Sequence, residues 1–409
     1  MTTASSQAPG RVVFVNRFYW PDHSATAQIL CDLATGLAAL GWEVTVITSR
    51  LRYEGGDRLA PVEEHGGVTI QRVATSRFGR TTLVGRAIDY ASFYVSAMIA
   101  AFRIVRRGDI LVAKTDPPLL QIPLTLVSHL RGASQVNWMQ DVYPELAVAL
   151  GMRRLAGLPA RLLVALRSRS MRGSARTVAI GGRMKEMLVA AGARRSQIVE
   201  IHNWGDDAVL GAPREPSELR ETWGFTSQRL VVGYSGNLGR AHELATMLDV
   251  SRVLAAQAAL VDFLFIGGGA LRERLDAAAL PNIALRPYQP RDELFRSMGV
   301  ADIHWLSLQP ELEGLIVPSK FYGSAASGRP ILFIGDEDGE VARLIRRHDC
   351  GWTFRPGETQ AIATLLRDLA ADRDQLLARG CNARRMVRNH FSRAKAISAW
   401  DALLREVAG

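Results

Sequence analysis

Cysteine, lysine and long apolar runs are all scarce in this sequence, and each shortage excludes something. The three cysteines, Cys31, Cys350 and Cys381, are an odd number with no CxxC or Cys/His ligand spacing. Neither a disulfide framework nor a zinc site is readable, and a reducing cytoplasm is the expected setting. The longest stretches free of Asp, Glu, Lys, Arg and His, residues 90–102 and 117–128, have 13 and 12 residues, short of the roughly 18 to 20 apolar residues a bilayer crossing needs. No basic-then-apolar leader precedes the first apolar run at residue 11, so neither export nor a membrane span is expected. Only four lysines stand against 46 arginines. No 20 to 50 residue repeat and no low-complexity tract is visible.

What is present is a globular composition. With 48% hydrophobic and 22% charged residues, disorder is excluded as the main state, and 409 residues are more than one core usually organises, so two domains are expected. The net charge of +10 is one-sided: residues 1–205 hold 25 basic and 14 acidic residues, residues 206–409 hold 25 and 26. A basic half suits nucleic acid, anionic lipid or a polyphosphorylated substrate. The segment MRRLAGLPARLLVALRSRSMRGSAR (152–176) sets leucines between arginines, as in a helix lying on a membrane surface or, equally, a solvated basic face over a core stripe. Nucleic acid is disfavoured, because no RNP-like aromatic run, helix-turn-helix signal or zinc finger accompanies the charge.

Short apolar runs alternate with helical patterns, the signature of βαβ units building parallel sheets. Strands are expected at 11–16, 43–49, 68–73, 109–114, 134–139 and 176–180, and again at 230–236, 261–267, 282–287, 301–308, 330–335 and 351–355. Polar residues 206–225 mark the linker. The expected division is 1–206, 207–390 and a terminal helix, 391–409. Two open parallel sheets place two sets of strand ends near an interdomain cleft, where ligands of such folds bind.

The loop after the first strand, FYWPDHSATAQ (18–28), is not GxGxxG, which argues against a dinucleotide cofactor. His23 there either recognises a polar substrate or is a loop histidine without a role. In VVGYSGNLGRAHEL (231–244), Gly236 and Gly239 admit close backbone approach, while Asn237, Arg240 and His242 bring donors to a helix start that favours anions. Gly268, inside FIGGGALRERL (265–275), either lines the same site or serves a tight turn. In ELEGLIVPSKFYGSAASGRP (311–330), Lys320 opens a predicted helix, where a cation opposes the helix dipole unless an anion sits beside it. A diphosphate is the natural partner, with Ser319 adding a hydroxyl. Asp141 and Glu145 in QDVYPE (140–145) follow a predicted strand and are either acceptor-binding carboxylates or helix caps. The DED triplet at 336–338 reads better as an acidic loop than as a metal site, so no metal and no cofactor is expected.

Together FYWPD, QDVYPE, IGGRMKEML, IHNWGDD, GYSGNLGRAHEL, FIGGGALRERL and VPSKFYGSAASGRP resemble, in order and over nearly the whole chain, the GT-B glycosyltransferases of family 4. The likeness is to the branch of bacterial colanic-acid and O-antigen transferases of fucosyl or N-acetylfucosaminyl type. The resemblance implies an α/β GT-B fold of two Rossmann-like domains facing a cleft, the first taking the acceptor and the second a nucleotide-diphosphate sugar. It implies donor contacts at Gly236, Asn237, Gly239, Gly268, Glu313, Gly314, Ser319, Lys320 and Tyr322, and chemistry at Asp141, His23, Lys320 and Arg240. One departure is clear: aligned on SGRP, the two positions where the family carries glutamates hold Leu315 and Gly323, with Glu311 or Glu313 as substitutes for the first. The implied enzyme is a retaining, metal-independent hexosyltransferase. It would move sugar from a UDP- or GDP-sugar to a polyprenyl-diphosphate-linked saccharide at the anionic inner face of the plasma membrane. A nucleotide-sugar epimerase of the same fold and a non-catalytic partner in a polysaccharide assembly complex remain the alternatives.

Overall fold

Runs of β-branched and aromatic residues with no polar face become central strands, because a parallel sheet covered by helices on both sides has no wet surface. A computed structural model of the protein describes residues 9–22, 24–53, 55, 58–79, 83–152, 155–212 and 218–409. Two compact units emerge, Met1–His202 with Ala394–Gly409, and Asn203–Arg393.

The first unit has eight strands: β1 (Arg11–Val15), β2 (Glu43–Ser49), β3 (Val62–His65), β4 (Val68–Val73), β5 (Ile110–Lys114), β6 (Ser134–Met139), β7 (Arg176–Ala179) and β8 (Ile198–Glu200). Their spatial order is β3-β4-β2-β1-β5-β6-β7-β8. All pairs are parallel except β3 with β4. Neither β3 nor β8 is among the expected strands. β3 (VEEH) is a polar edge and β8 is three residues long, so neither carries the apolar run that marks a central strand. One face of the sheet is packed by Val13, Val15, Leu111 and Ala113 against Phe93, Ala97 and Ala101 of helix Leu83–Ile104. By length and composition the stretch Val84–Ile104 could cross a membrane; the charge-free run of 13 residues understated it because Arg86, Asp89 and Arg103 interrupt an otherwise apolar helix. Helix Arg393–Ala408 closes the unit: Trp400 is fully buried with its ring 4.8 Å from Trp138, and the Trp42 indole donates to Asp401 at 2.7 Å.

The second unit has six parallel strands, β9 (Leu230–Ser235), β10 (Val261–Ile266), β11 (Ile283–Arg286), β12 (Ile303–Ser307), β13 (Ile331–Ile334) and β14 (Gly351–Phe354), in the order β11-β10-β9-β12-β13-β14. The six expected strands coincide with these. In both sheets the chain runs outward one way and then returns to the middle to run outward the other way. The reversals lie between β1 and β5 and between β9 and β12, and in open parallel sheets the crevice beyond the strand ends at such a reversal is where ligands bind.

Candidate functional site

In the second unit the reversal point is occupied by Gly236, one residue past β9, and by Lys320, the first residue of helix Lys320–Ala326. The lysine bends back over the strand end. Its Nζ donates to the Asn237 carbonyl at 3.4 Å and stands 5.7 Å from the centre of the Tyr234 ring. A Cβ on Gly236 would come within 2.1 Å of Lys320 Cε, and the backbone there has φ +131°, so a glycine is what admits the lysine stem. Part of the side chain remains open to solvent. Burial nevertheless pushes the ammonium down to about 8, with no neighbouring acid among the causes. A cation withdrawn from water is costly unless an anion pairs with it, and a negative group bound here would relieve that cost. The helix is only seven residues long, and it is the position over Gly236, more than a dipole, that defines the lysine.

Around it the expected residues separate. Asn237 and Arg240 are exposed on the turn, and Gly239 has open space where a Cβ would point, its nearest neighbour being Asn237 Nδ2 at 3.7 Å. His242 turns inward instead of offering a donor: Nδ1 lies 2.9 Å from the Ser307 carbonyl and Nε2 3.0 Å from the Tyr234 hydroxyl. Burial, and then Lys320, push its pKa down to about 4. Burial favours the neutral ring, Nδ1 faces the Ser307 carbonyl, and the Tyr234 hydroxyl beside Nε2 donates to the Asn237 carbonyl at 2.7 Å. The glycine cluster is mainly a packing device. A Cβ on Gly267 would meet the Gly236 carbonyl at 2.3 Å and one on Gly269 the Leu238 nitrogen at 2.6 Å, while the Gly268 carbonyl accepts from Leu238 N–H at 2.7 Å. These contacts lock the turns after β9 and β10 together.

Glu313 does not offer a free carboxylate for a ribose. Its Oε1 accepts from the Glu340 amide at 2.9 Å, capping helix Glu340–His348, and burial raises its pKa. Gly314 makes the turn beside it at φ +77°. Ser319 precedes the helix without a side-chain capping bond. Tyr322 is fully buried, its ring 5.4 Å from Phe321 and 5.3 Å from Phe391; the expectation of a donor contact is corrected, because this ring is core. Of the DED triplet, Glu337 pairs with Arg355 at 2.9 Å and Asp338 with Arg346 at 3.6 Å, the behaviour of an acidic loop.

In the first unit the reversal point gathers a second charged cluster. Lys114 ends β5, Asp116 follows it, and Asp141 follows β6. Lys114 is 1% exposed; its Nζ donates to the Thr26 carbonyl at 2.6 Å and lies 4.2 Å from the Trp138 ring centre. Burial lowers its pKa to about 7, against the opposing charges of Asp116 and Asp141. Half-buried Asp141 is pushed up to about 6 by burial first and by Asp116 second, with Lys114 and the Thr115 hydroxyl opposing. Burial likewise raises the phenol of Tyr143, and Asp141 adds to it. Arg17, nearly buried beyond β1, donates its amide to the Asp116 carbonyl at 2.8 Å and pairs with Asp89 at 3.9 Å. A carboxyl that changes charge near pH 6 at a strand end is suited to proton transfer. Glu145 is not part of this: Arg167, fully buried, holds it at 2.5 and 2.8 Å. His23 lies outside the described residues. Sequence reading missed Lys114, Asp116 and Arg17; the signal available was a rare lysine in KTDPP at the end of a predicted strand.

Comparison with known proteins follows the same lines. Residues 24–204 match the family described as glycosyl transferase 4-like domain. The probable glycosyltransferase WbjE of Pseudomonas aeruginosa is 29% identical over 269 residues, 64% of this chain and 66% of its own length, just under two thirds. The putative colanic acid biosynthesis glycosyl transferase WcaI of Escherichia coli K12 is 22% identical over 341 residues, 80% of this chain and 83% of its own. Among solved structures, sucrose-phosphate synthase of Thermosynechococcus elongatus superposes with a TM-score of 0.75 at 15% identity, covering 97% of this chain and 98% of that one. Anabaena HepE in complex with UDP-glucose gives 0.70 at 14%, covering 97% and 99%.

Proposed function

We propose that the chain, whose first unit matches a glycosyl transferase 4-like domain, is a GT-B glycosyltransferase that transfers a hexose-type sugar from a UDP- or GDP-sugar to a saccharide carried on polyprenyl diphosphate, in bacterial surface-polysaccharide synthesis. The observation that carries this reading is Lys320, an ammonium whose pKa burial lowers and whose stem lies over Gly236 at the reversal of the second sheet. In the reaction the bond from the anomeric carbon to the diphosphate breaks and its electron pair leaves with the nucleotide. Lys320 and exposed Arg240 would stabilise the charge that grows there, the largest single need of such a transition state. The acceptor hydroxyl forms the new bond, and Asp141 takes its proton. We read the transfer as retaining and as needing no metal, with the DED acids engaged by arginines. HepE binds UDP-glucose and WcaI is named for colanic acid synthesis, which supports the donor class and the setting. The setting we infer is the cytoplasmic face of the plasma membrane.

The test is thermal unfolding with UDP, GDP and their sugars, since a ligand that binds only the native state raises Tm. One nucleotide diphosphate should raise Tm, and Lys320→Met, which keeps the stem over Gly236 and removes the charge, should abolish the rise while the unliganded Tm stays within a few degrees. An undiminished rise in that variant would remove Lys320 from the site.

A further inference from the structure

Helix Leu83–Ile104 is apolar on two sides, and the sheet covers one. Phe93, Ala97 and Ala101 lie in the core. At 3.6 residues per turn they project away from Val84, Ile88, Val95 and Ile99, which are 70%, 42%, 59% and 48% exposed. Its neighbours repeat this. Helix Gln121–Arg131 packs beside it and exposes Leu126 and Leu130; helix Leu158–Gly173 packs beside that one and exposes Leu158, Leu162 and Leu166, four residues apart. A Thr125–Ser170 hydroxyl bond at 2.6 Å ties the second pair of helices together. Isolated exposed leucines need no explanation, but rows of them on three adjacent helices do.

The charge on this face has one sign. Arg103, Arg161, Arg169 and Arg172 are exposed beside the leucines and valines, and Arg106 and Arg107 follow the first helix. The three helices contain a single acid, Asp89. It is 3% exposed. Burial opposes its ionisation, yet the amides of Phe78 and Gly79 and the Ser76 hydroxyl hold its pKa below the usual range. It is a ligand of the preceding loop and adds nothing acidic to the surface.

We propose that the outer face of these three helices is a docking surface for a bilayer containing anionic phospholipid. Its apolar rows enter the headgroup and upper acyl layer, and its arginines bind lipid phosphates. A surface rich in arginine, empty of exposed acid and lined with aliphatic rows matches the two attractions that hold a protein in the interfacial plane. Arginine serves both, its stem lying on apolar surface and its guanidinium reaching water and phosphate. Of the leucines of 152–176, Leu158, Leu162 and Leu166 face outward, while Leu155 and Leu163 are half-buried. The proposal names the surface for the membrane partner in the reading above and rests on that reading for its setting; its test uses no sugar donor.

Cosedimentation of the full chain with vesicles of phosphatidylcholine, with and without phosphatidylglycerol, is the experiment. The wild type should bind the mixed vesicles at least tenfold more tightly than neutral ones, and the preference should shrink as salt is raised. The triple substitution Ile88→Ser, Ile99→Ser, Leu162→Ser should cut binding to both kinds at least tenfold. Arg161→Gln with Arg169→Gln and Arg172→Gln should remove the preference for the anionic kind. Ile99→Trp should show a blue-shifted emission quenched by brominated lipid. Absence of vesicle binding, undiminished binding by the triple variant, or a dimer in light scattering that the triple variant dissolves would each overturn the proposal, the last by making a second copy the occupant. Nucleotide-induced Tm shifts, measured on the same variants, report on the donor site separately and should be unchanged.

Discussion

Two of the four lysines lie at the two places where the sheets reverse direction, and both have pKa values lowered by burial, Lys114 to about 7 and Lys320 to about 8. In a chain that otherwise uses arginine, that choice has a physical sense: an ammonium can lose its proton when buried and a guanidinium cannot. The rarity of lysine made Lys320 legible beside its glycines and serine, whereas Lys114 was hidden by standing in an apolar strand run. Which way a side chain faces was not legible. Tyr322 and His242 share a motif with site residues, yet one is core and the other turns under the strand end, because facing is decided by packing around it. Asp141 gives the residue-scale prediction. Its folded-state pKa of about 6 exceeds that of an unfolded aspartate, so the native state holds a proton that the unfolded chain has lost between about pH 4 and 6. Its burial as an anion therefore costs stability once pH rises through 6. Asp141→Asn should leave Tm at pH 7.5 unchanged or higher while lowering turnover at least a hundredfold, within the usual span for a general base. The wild-type rate should fall as pH drops below about 6, and the variant should lack that limb. A variant that lost stability and activity together would make Asp141 structural.

At the scale of elements, the pattern of the sequence was most readable where burial on both faces leaves a bare apolar run. The four inner strands of the second sheet fall in this class, while its edge strands β11 and β14 are largely half-buried. It was least readable at β3 and β8, a polar edge and a three-residue strand, whose place depends on the neighbour they pair with. The terminal helix Arg393–Ala408 shows how a distant segment completes a unit: Trp400 fills space against Trp138, whose ring lies under Lys114. Removing so large a fully buried ring leaves a cavity, and Trp400→Ala should cost about 3 to 5 kcal/mol. Denaturant titration would show this as a lower midpoint with an unchanged slope. A loss below about 1 kcal/mol would mean that the helix is an appendage of the first unit.

For the whole molecule, the uneven charge of the sequence and the two reversal points divide the work. The basic half carries the charged cluster of Asp141, Asp116 and Lys114 together with the arginine-studded helical face, and the neutral half carries the lysine over Gly236. The absence of the two family glutamates from positions 315 and 323 makes turnover the decisive question, since binding of a nucleotide alone would also suit a non-catalytic protein, and turnover without an acceptor would suit an epimerase. The measurement is release of nucleoside diphosphate from the UDP- or GDP-sugar that raises Tm, with and without a polyprenyl-diphosphate saccharide in phosphatidylglycerol vesicles. The account predicts release that requires the acceptor, yields one extended lipid-linked product per nucleotide, and is lost in Lys320→Met. Sugar isomerised with no acceptor, or donor bound with no release on any lipid-linked saccharide, would contradict it.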